Sequence, residues 1–300
     1  MNPSRPPTID PVAAQRWQRL RLLESPWLHE EVARRMQERL DLIKQQPQSW
    51  VHWEPLKGGM QAHDALMQRY AKASCTVLEA QSAHRHVHQL LQSPWWTAQR
   101  WLRPRVQVVD SVVQPAQMVW ANMQLHMASD PQSVLADWHC ALQVDGFLMF
   151  SCLGPDSLQE LQHLYRSLGW PAPCHAFTDM HDWGDQLVAA GFAEPVMDME
   201  RITLTFETPE RLLQELRGLG RNLHVQRFTS LRGHVWHQRL LAELAKKPLQ
   251  LTFEVLYGHA FKPAPRLKVS AQSEISLSEM RSALKRSQLT GGHHSNGGNT

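Results

Sequence analysis

Residues 118–152 read MVWANMQLHMASDPQSVLADWHCALQVDGFLMFSC, and this stretch decides the fold. The runs at 118–121 and 146–152 are short and almost continuously apolar, as strands buried on both faces are. Between them, 131–142 reads as a helix with Pro131 in its first turn, where the missing N–H costs nothing. A strand, a helix and a second fully buried strand predict a parallel pair joined by a right-handed crossover.

The alternation extends toward the N-terminus. SWVHW at 49–53, CTVL at 75–78 and VQVV at 106–109 are strand candidates, and 60–70 and 81–91 read as helices. Further upstream a helix-like stretch covers about 12–24. Leu28, Val32, Met36, Leu40 and Ile43 then recur at steps of four or three and mark one helix face. Toward the C-terminus, 156–168 and 179–190 read as helices, and RITLTF within 196–206 alternates as a strand. Thr208-Pro209 starts another helix, and 249–262 alternates again. The expected architecture is α/β, a mostly parallel seven-stranded sheet with an antiparallel edge strand. Residues 1–20 are expected to be a flexible N-terminal segment, 21–263 one domain and 264–300 a disordered tail.

Composition narrows the function classes. The 300 residues are 42% hydrophobic and 20% charged, which suits a folded soluble domain. The net charge of +3 belongs to the tail. Residues 262–300 hold six basic and two acidic groups, so the body carries about −1 and has no nucleic-acid footprint. No apolar run reaches the roughly 18 residues of a membrane span, and MNPSRPPTIDP lacks the core of a signal peptide. Cys75, Cys140, Cys152 and Cys174 form no CxxC pair, so reduced thiols in the cytoplasm are expected. HRHVH at 84–88 puts only His84 and His88 on one helix face, with no third ligand in reach of the pattern, so no metal site is assigned.

In an open α/β sheet, ligands bind beyond the carboxyl ends of the strands. The candidates are therefore Glu54 to Gly59 after the first strand, Glu79 after the second, Asp110 after the third and Asn122 after the fourth. Gly58 and Gly59 would let the backbone approach a ligand and bare the N–H groups of the next helix. Glu79 lies 20 residues past Gly59, the spacing of an acid that accepts two ribose hydroxyls. Together these describe a nucleoside pocket. The tryptophans of this half read first as core or rim packing, and Trp120 or Trp53 is the one placed to stack on a base.

The quoted stretch, continued to Leu161, resembles the later half of class I S-adenosylmethionine (SAM)-dependent methyltransferases. More narrowly, it is similar to the malonyl-acyl-carrier-protein O-methyltransferases of biotin synthesis. The resemblance rests on Ala121-Asn122, the helix after Asp130-Pro131, Asp145-Gly146, Phe150-Ser151-Cys152 and Ser157 to Leu161. LTFETPERLLQELRGLGRNL at 204–223 resembles that family's lid, and LTFEVLYGHAFK at 251–262 its last strand. The family's glycine-rich turn is altered: His52-Trp53-Glu54-Pro55-Leu56-Lys57-Gly58-Gly59 keeps only the final glycines, and Gln117 stands where an acid opens the fourth strand.

The resemblance implies a Rossmann-like fold with helical lid insertions at about 156–190 and 208–248. It implies SAM as cofactor and an acyl carrier protein as partner, with neither nucleic acid nor membrane. Residue by residue, Glu79 would hold the ribose, Asp110 the adenine amino group, and Gly58 and Gly59 the methionine moiety. Glu54 would stand for the turn's acid and Asn122 would lie beneath the methyl. Arg217 and Arg221 would seat the acceptor carboxylate or the acidic carrier. No catalytic base is required, because a carboxylate acceptor is already ionised. The altered turn leaves a second reading open, a methyltransferase-like binding or assembly factor without catalysis. A third is a related fold with other chemistry, such as the arginine-hydroxylating assembly factors of respiratory complex I.

Overall fold

A computed structural model describes residues 9–20, 22–80, 83–91 and 106–265. The sheet is built from β1 (Ser49–Trp53), β2 (Ser74–Leu78), β3 (Val106–Val109), β4 (Ala116–Ala121), β5 (Leu142–Leu153), β6 (Ala193–Thr205) and β7 (Gln250–Phe261). Their order across the sheet is β3-β2-β1-β4-β5-β7-β6. The pairs β3·β2, β2·β1, β1·β4 and β4·β5 are parallel. β7 runs antiparallel to both β5 and β6, which makes the β6 edge antiparallel.

Three helices precede or punctuate the first half: α1 (Pro11–Gln18), α2 (Trp27–Arg39) and the single turn α3 (Pro55–Gly58). α4 (Met60–Arg69) and α5 (His84–Leu91) follow, and α6 (Pro131–Ala141) is the crossover read from the sequence. α7 (Gln159–Ser167) and α8 (Met180–Ala189) separate β5 from β6, while α9 (Pro209–Leu219) and α10 (His234–Leu244) separate β6 from β7. α6 is capped by Asp130, whose carboxylate accepts from the Ser133 N–H at 3.2 Å. Thr208 caps α9 in the same way through Arg211.

Alternate residues of the central strands feed opposite faces. Trp50, Met118, Trp120, Phe147 and Met149 pack with Val32 and Met36 of α2 and Leu66 of α4. Val51, Val119, Leu148 and Phe150 pack with Leu135 and Trp138 of α6 and Trp183 and Leu187 of α8. Covering the sheet on both faces leaves its strand ends as the place for chemistry.

The N-terminal segment is more ordered than composition implies. From Ile9 onward it docks on the chain after α9: the Asp10 N–H donates to Leu223 O at 2.8 Å, and the Asp10 carboxylate pairs with Arg227 at 2.6 Å. Ala14 and Trp17 are buried beneath it, a packing that no local pattern announces. The expectation of a flexible 1–20 is corrected for residues 9–20. The tail beyond residue 265 lies outside the described residues. No described helix is long and apolar enough to cross a membrane.

Candidate active site

β1 and β2 end in register, Trp53 opposite Leu78, and the ladder continues one step past each end. The Glu54 N–H donates to Leu78 O at 2.7 Å and the Glu79 N–H to Val109 O at 2.9 Å. This sets Glu54 beside Glu79. Glu54 then takes a left-handed conformation, φ +45°, and Pro55 begins α3.

The turn spends its backbone donors on itself. Pro55 has none. The Leu56 N–H points to Glu79 Oε2 at 3.4 Å. The Lys57 and Gly58 N–H groups donate to Glu54 O, and the Gly59 N–H to Pro55 O. Its carbonyls are held as firmly: Ser25 Oγ donates to Leu56 O, His29 Nδ1 to Lys57 O at 2.6 Å, and the Asn122 amide to Gly58 O.

Two expectations are corrected here. Gly58 and Gly59 do not open onto a ligand. A Cβ on Gly58 would meet Asn122 O at 3.0 Å, and one on Gly59, at φ +122°, would meet Glu30 Oε2 at 3.0 Å. The first N–H groups of α4 are also taken, by Glu30 and Ser25. Asn122, fully buried, does not lie open beneath a methyl. Its amide is spent on His29 O and Gly58 O, and its carbonyl accepts from Ser151 Oγ at 2.6 Å. It shapes the turn.

Two charged features remain. Glu79 is only 2% exposed, and the nearby Lys57 pairs with Glu54 rather than with it. Burial, then the neighbouring Glu54 charge, pushes its pKa up to about 7, while Lys57 and two weak N–H contacts pull the other way. Lys57 is buried as well. Its Nζ lies 2.9 Å from Glu54 Oε2 and 3.2 Å from Gln18 O at the end of α1, where helix carbonyls favour a cation.

Lys57 and Glu54 line a narrow cavity of about 50 Å³, walled also by Trp17, Gln18, Gln124 and Met127. A larger, mainly apolar pocket of about 300 Å³ lies between the end of β5 and helices α7, α9 and α10. Leu153, Leu161, Leu216 and Phe253 line it, with Arg217 and Arg221 among its polar residues. Neither guanidinium meets a carboxylate among the described residues. Arg221 donates instead to Arg217 O and Gly220 O. Met127 belongs to the walls of both cavities, and Gly220 packs against its methyl.

The remaining sequence candidates separate. Asp110 is exposed at the end of β3, accepting from Ser111 Oγ. Trp120 is sealed in the core and cannot stack on a ligand, whereas Trp53 packs edge-on against Trp138. His84 donates to Glu79 O at 2.7 Å and braces that strand end. No group of His, Cys, Asp and Glu among the described residues could hold a metal ion. The sequence reading did not single out His126 and His175, both buried in the larger pocket's wall. His175 Nε2 donates to His126 O at 2.8 Å, which leaves its Nδ1 an acceptor without a partner among the described residues. No periodicity or motif marks either residue.

The chain is 37% identical to the malonyl-[acyl-carrier protein] O-methyltransferase of Gallionella capsiferriformans over 80% of its own length and 86% of that protein's. It is 36% identical to the enzyme of the same name from Laribacter hongkongensis, over 80% and 84%. The chain belongs to the malonyl-[acyl-carrier protein] O-methyltransferase family. No family model matches the sequence. Among solved structures, the YcgJ protein of Bacillus subtilis superposes with a TM-score of 0.51 at 12% identity, over 77% of this chain and 98% of that one. That likeness concerns the fold. In this chain the turn after β1 is filled by its own backbone, and among the described residues the buried Glu79 carboxylate receives only two long N–H contacts. An under-satisfied carboxylate at that strand end fits a pair of hydroxyl donors.

Proposed function

We propose that the protein transfers a methyl group from S-adenosylmethionine to the free carboxylate of a malonyl thioester carried by an acyl carrier protein, a step of biotin synthesis in the cytoplasm. One observation carries the reading: a cavity bearing Glu54 and Lys57 and a larger apolar pocket bearing Arg217 and Arg221 share Met127 as their common wall. Transfer between two bound molecules needs two adjoining sites with the reacting atoms held in line.

Glu79 would hold the ribose hydroxyls of the cofactor, and Glu54 and Lys57, which line the narrow cavity, would meet its amino-acid end. When bound, the cofactor supplies an electrophilic methyl on a sulfonium that leaves as a neutral thioether. The acceptor needs no base, since a carboxylic acid with a pKa of about 4 is ionised near neutrality. Arg217 and Arg221 would seat that carboxylate by charge-assisted hydrogen bonds. The leucines of the pocket would keep water from the reacting centre.

Calorimetric titration of the full chain with SAM tests this. Micromolar binding that is lost in Glu79→Ala supports the reading, and rescue of a biotin auxotroph identifies the acceptor. Absence of heat at millimolar SAM would leave the architecture without the activity.

A further inference from the structure

We propose that the partly buried Glu54–Lys57 ion pair is the receptor for the zwitterionic amino-acid end of the methyl donor, doing with side chains what a glycine-rich turn does with backbone. The inference rests on the donor reading above. It follows from a complete accounting of the turn. A carboxylate arriving at the end of β1 finds no spare N–H between residues 55 and 59. Pro55 lacks one, Leu56 faces Glu79, and the other three close α3. Lys57 Nζ carries three donors, and Glu54 Oε2 and Gln18 O account for two. Both side chains of the pair line the narrow cavity.

An ion pair with its two ends open to one cavity complements a zwitterion, ammonium against Glu54 and carboxylate against Lys57. The wider charge balance agrees. With Glu79 ionised, two carboxylates face one ammonium, leaving a negative charge for a ligand that is a net cation. Burying a lysine costs desolvation, and a surface pair would have avoided it. Here the cost maintains a site. Lys57 also ties α1 to the turn through Gln18 O, so the helix ending at Gln18 forms the roof of the same cavity.

The test measures binding to the full chain, by calorimetry, of S-adenosylhomocysteine and of 5′-methylthioadenosine, the same nucleoside thioether without the amino-acid end. Wild type is expected to prefer the first at least tenfold. Lys57→Met and Glu54→Gln are expected to abolish the preference while changing methylthioadenosine affinity less than about threefold, and Lys57→Arg to retain it. Unchanged methylthioadenosine binding certifies that the variants are folded. Tighter binding of S-adenosylhomocysteine by Lys57→Met would make the lysine a plug and overturn the proposal. Methylthioadenosine binding without a preference in wild type would overturn it too, while leaving the nucleoside site in place. If neither compound binds, the donor reading falls and this assignment falls with it.

Discussion

The Leu56 N–H reaches Glu79 Oε2 across 3.4 Å, and with the similarly long Ala80 contact it is all the hydrogen bonding this buried carboxylate receives among the described residues. Such a group costs stability when charged. Its pKa is raised from 4.5 to about 7. Between those values the native state holds a proton that the unfolded chain has released, so stability falls as pH rises through that window. The shift corresponds to roughly 3 kcal/mol at the upper end. Glu79→Gln should therefore be more stable than wild type at pH 8, raising Tm by several degrees, and gain little at pH 4.5. Paired melts at the two pH values check this, and an equal gain at both would mean the carboxylate is not strained.

The same residue gives a binding prediction with the opposite sign. An ionised carboxylate accepts hydroxyl hydrogen bonds better than a neutral acid. Donor affinity of the wild type should accordingly tighten as pH rises from 6 to 8, whereas Glu79→Gln should bind about ten to a hundred times more weakly with a flat profile. Titration of SAM across that range reads both effects. A flat wild-type profile would place the ribose elsewhere.

Asn122 should behave as a structural keystone of the turn. Its truncation to Ala strips partners from His29 O, Gly58 O and Ser151 Oγ at once. Leaving buried polar groups unpaired costs about 1–3 kcal/mol each, moderated by local relaxation. A loss of about 2–4 kcal/mol in urea unfolding is expected. A change under half a kcal/mol would show that the turn stands without it.

The fold was legible because its strands are continuous apolar runs. β1 spans the SWVHW read as a strand, and β3 the VQVV. Boundaries slipped where tertiary pairing overrode local chemistry. β5 begins at Leu142 rather than 146 although Gln143, Val144 and Asp145 are exposed, because Leu142 pairs with Ala116. At the site, Glu54 and Glu79 were visible as acids at strand ends. The Lys57–Gln18 contact, the Glu30 cap on α4 and the Asn122 clamp were not. Each joins residues some 30 or more positions apart with no pattern of spacing to betray it. Trp120 is the core residue that the bulk of a strand tryptophan suggests, and the minority reading that it stacks on a base falls with that burial.

Arg217 and Arg221 sit on the pocket with no acidic partner among the described residues, so their charge is available to a ligand. Replacing both by Ala should raise KM for the carrier-bound acceptor by about ten- to a hundredfold, with a smaller effect on the affinity for SAM. Raising ionic strength should weaken wild-type kcat/KM for the carrier more than that of the double variant. Steady-state kinetics at two salt concentrations measure both. Equal salt sensitivity in the two proteins would move the carrier to another surface.

Met127 separates the cavity of Glu54 and Lys57 from the pocket beneath α9, and its methyl rests against Gly220 at the end of α9. A flexible thioether side chain can yield to two ligands meeting across it, whereas a rigid ring cannot. Met127→Phe should leave S-adenosylhomocysteine affinity within about threefold of wild type yet lower kcat/KM for the acceptor at least tenfold, since misplacement of reacting atoms by an ångström is that expensive. Met127→Leu, of similar volume and without an aromatic ring, should recover most of the activity. Were Met127→Phe fully active with donor binding unchanged, the two cavities would not meet at this residue. The transferred methyl would then have to travel by another route between donor and acceptor.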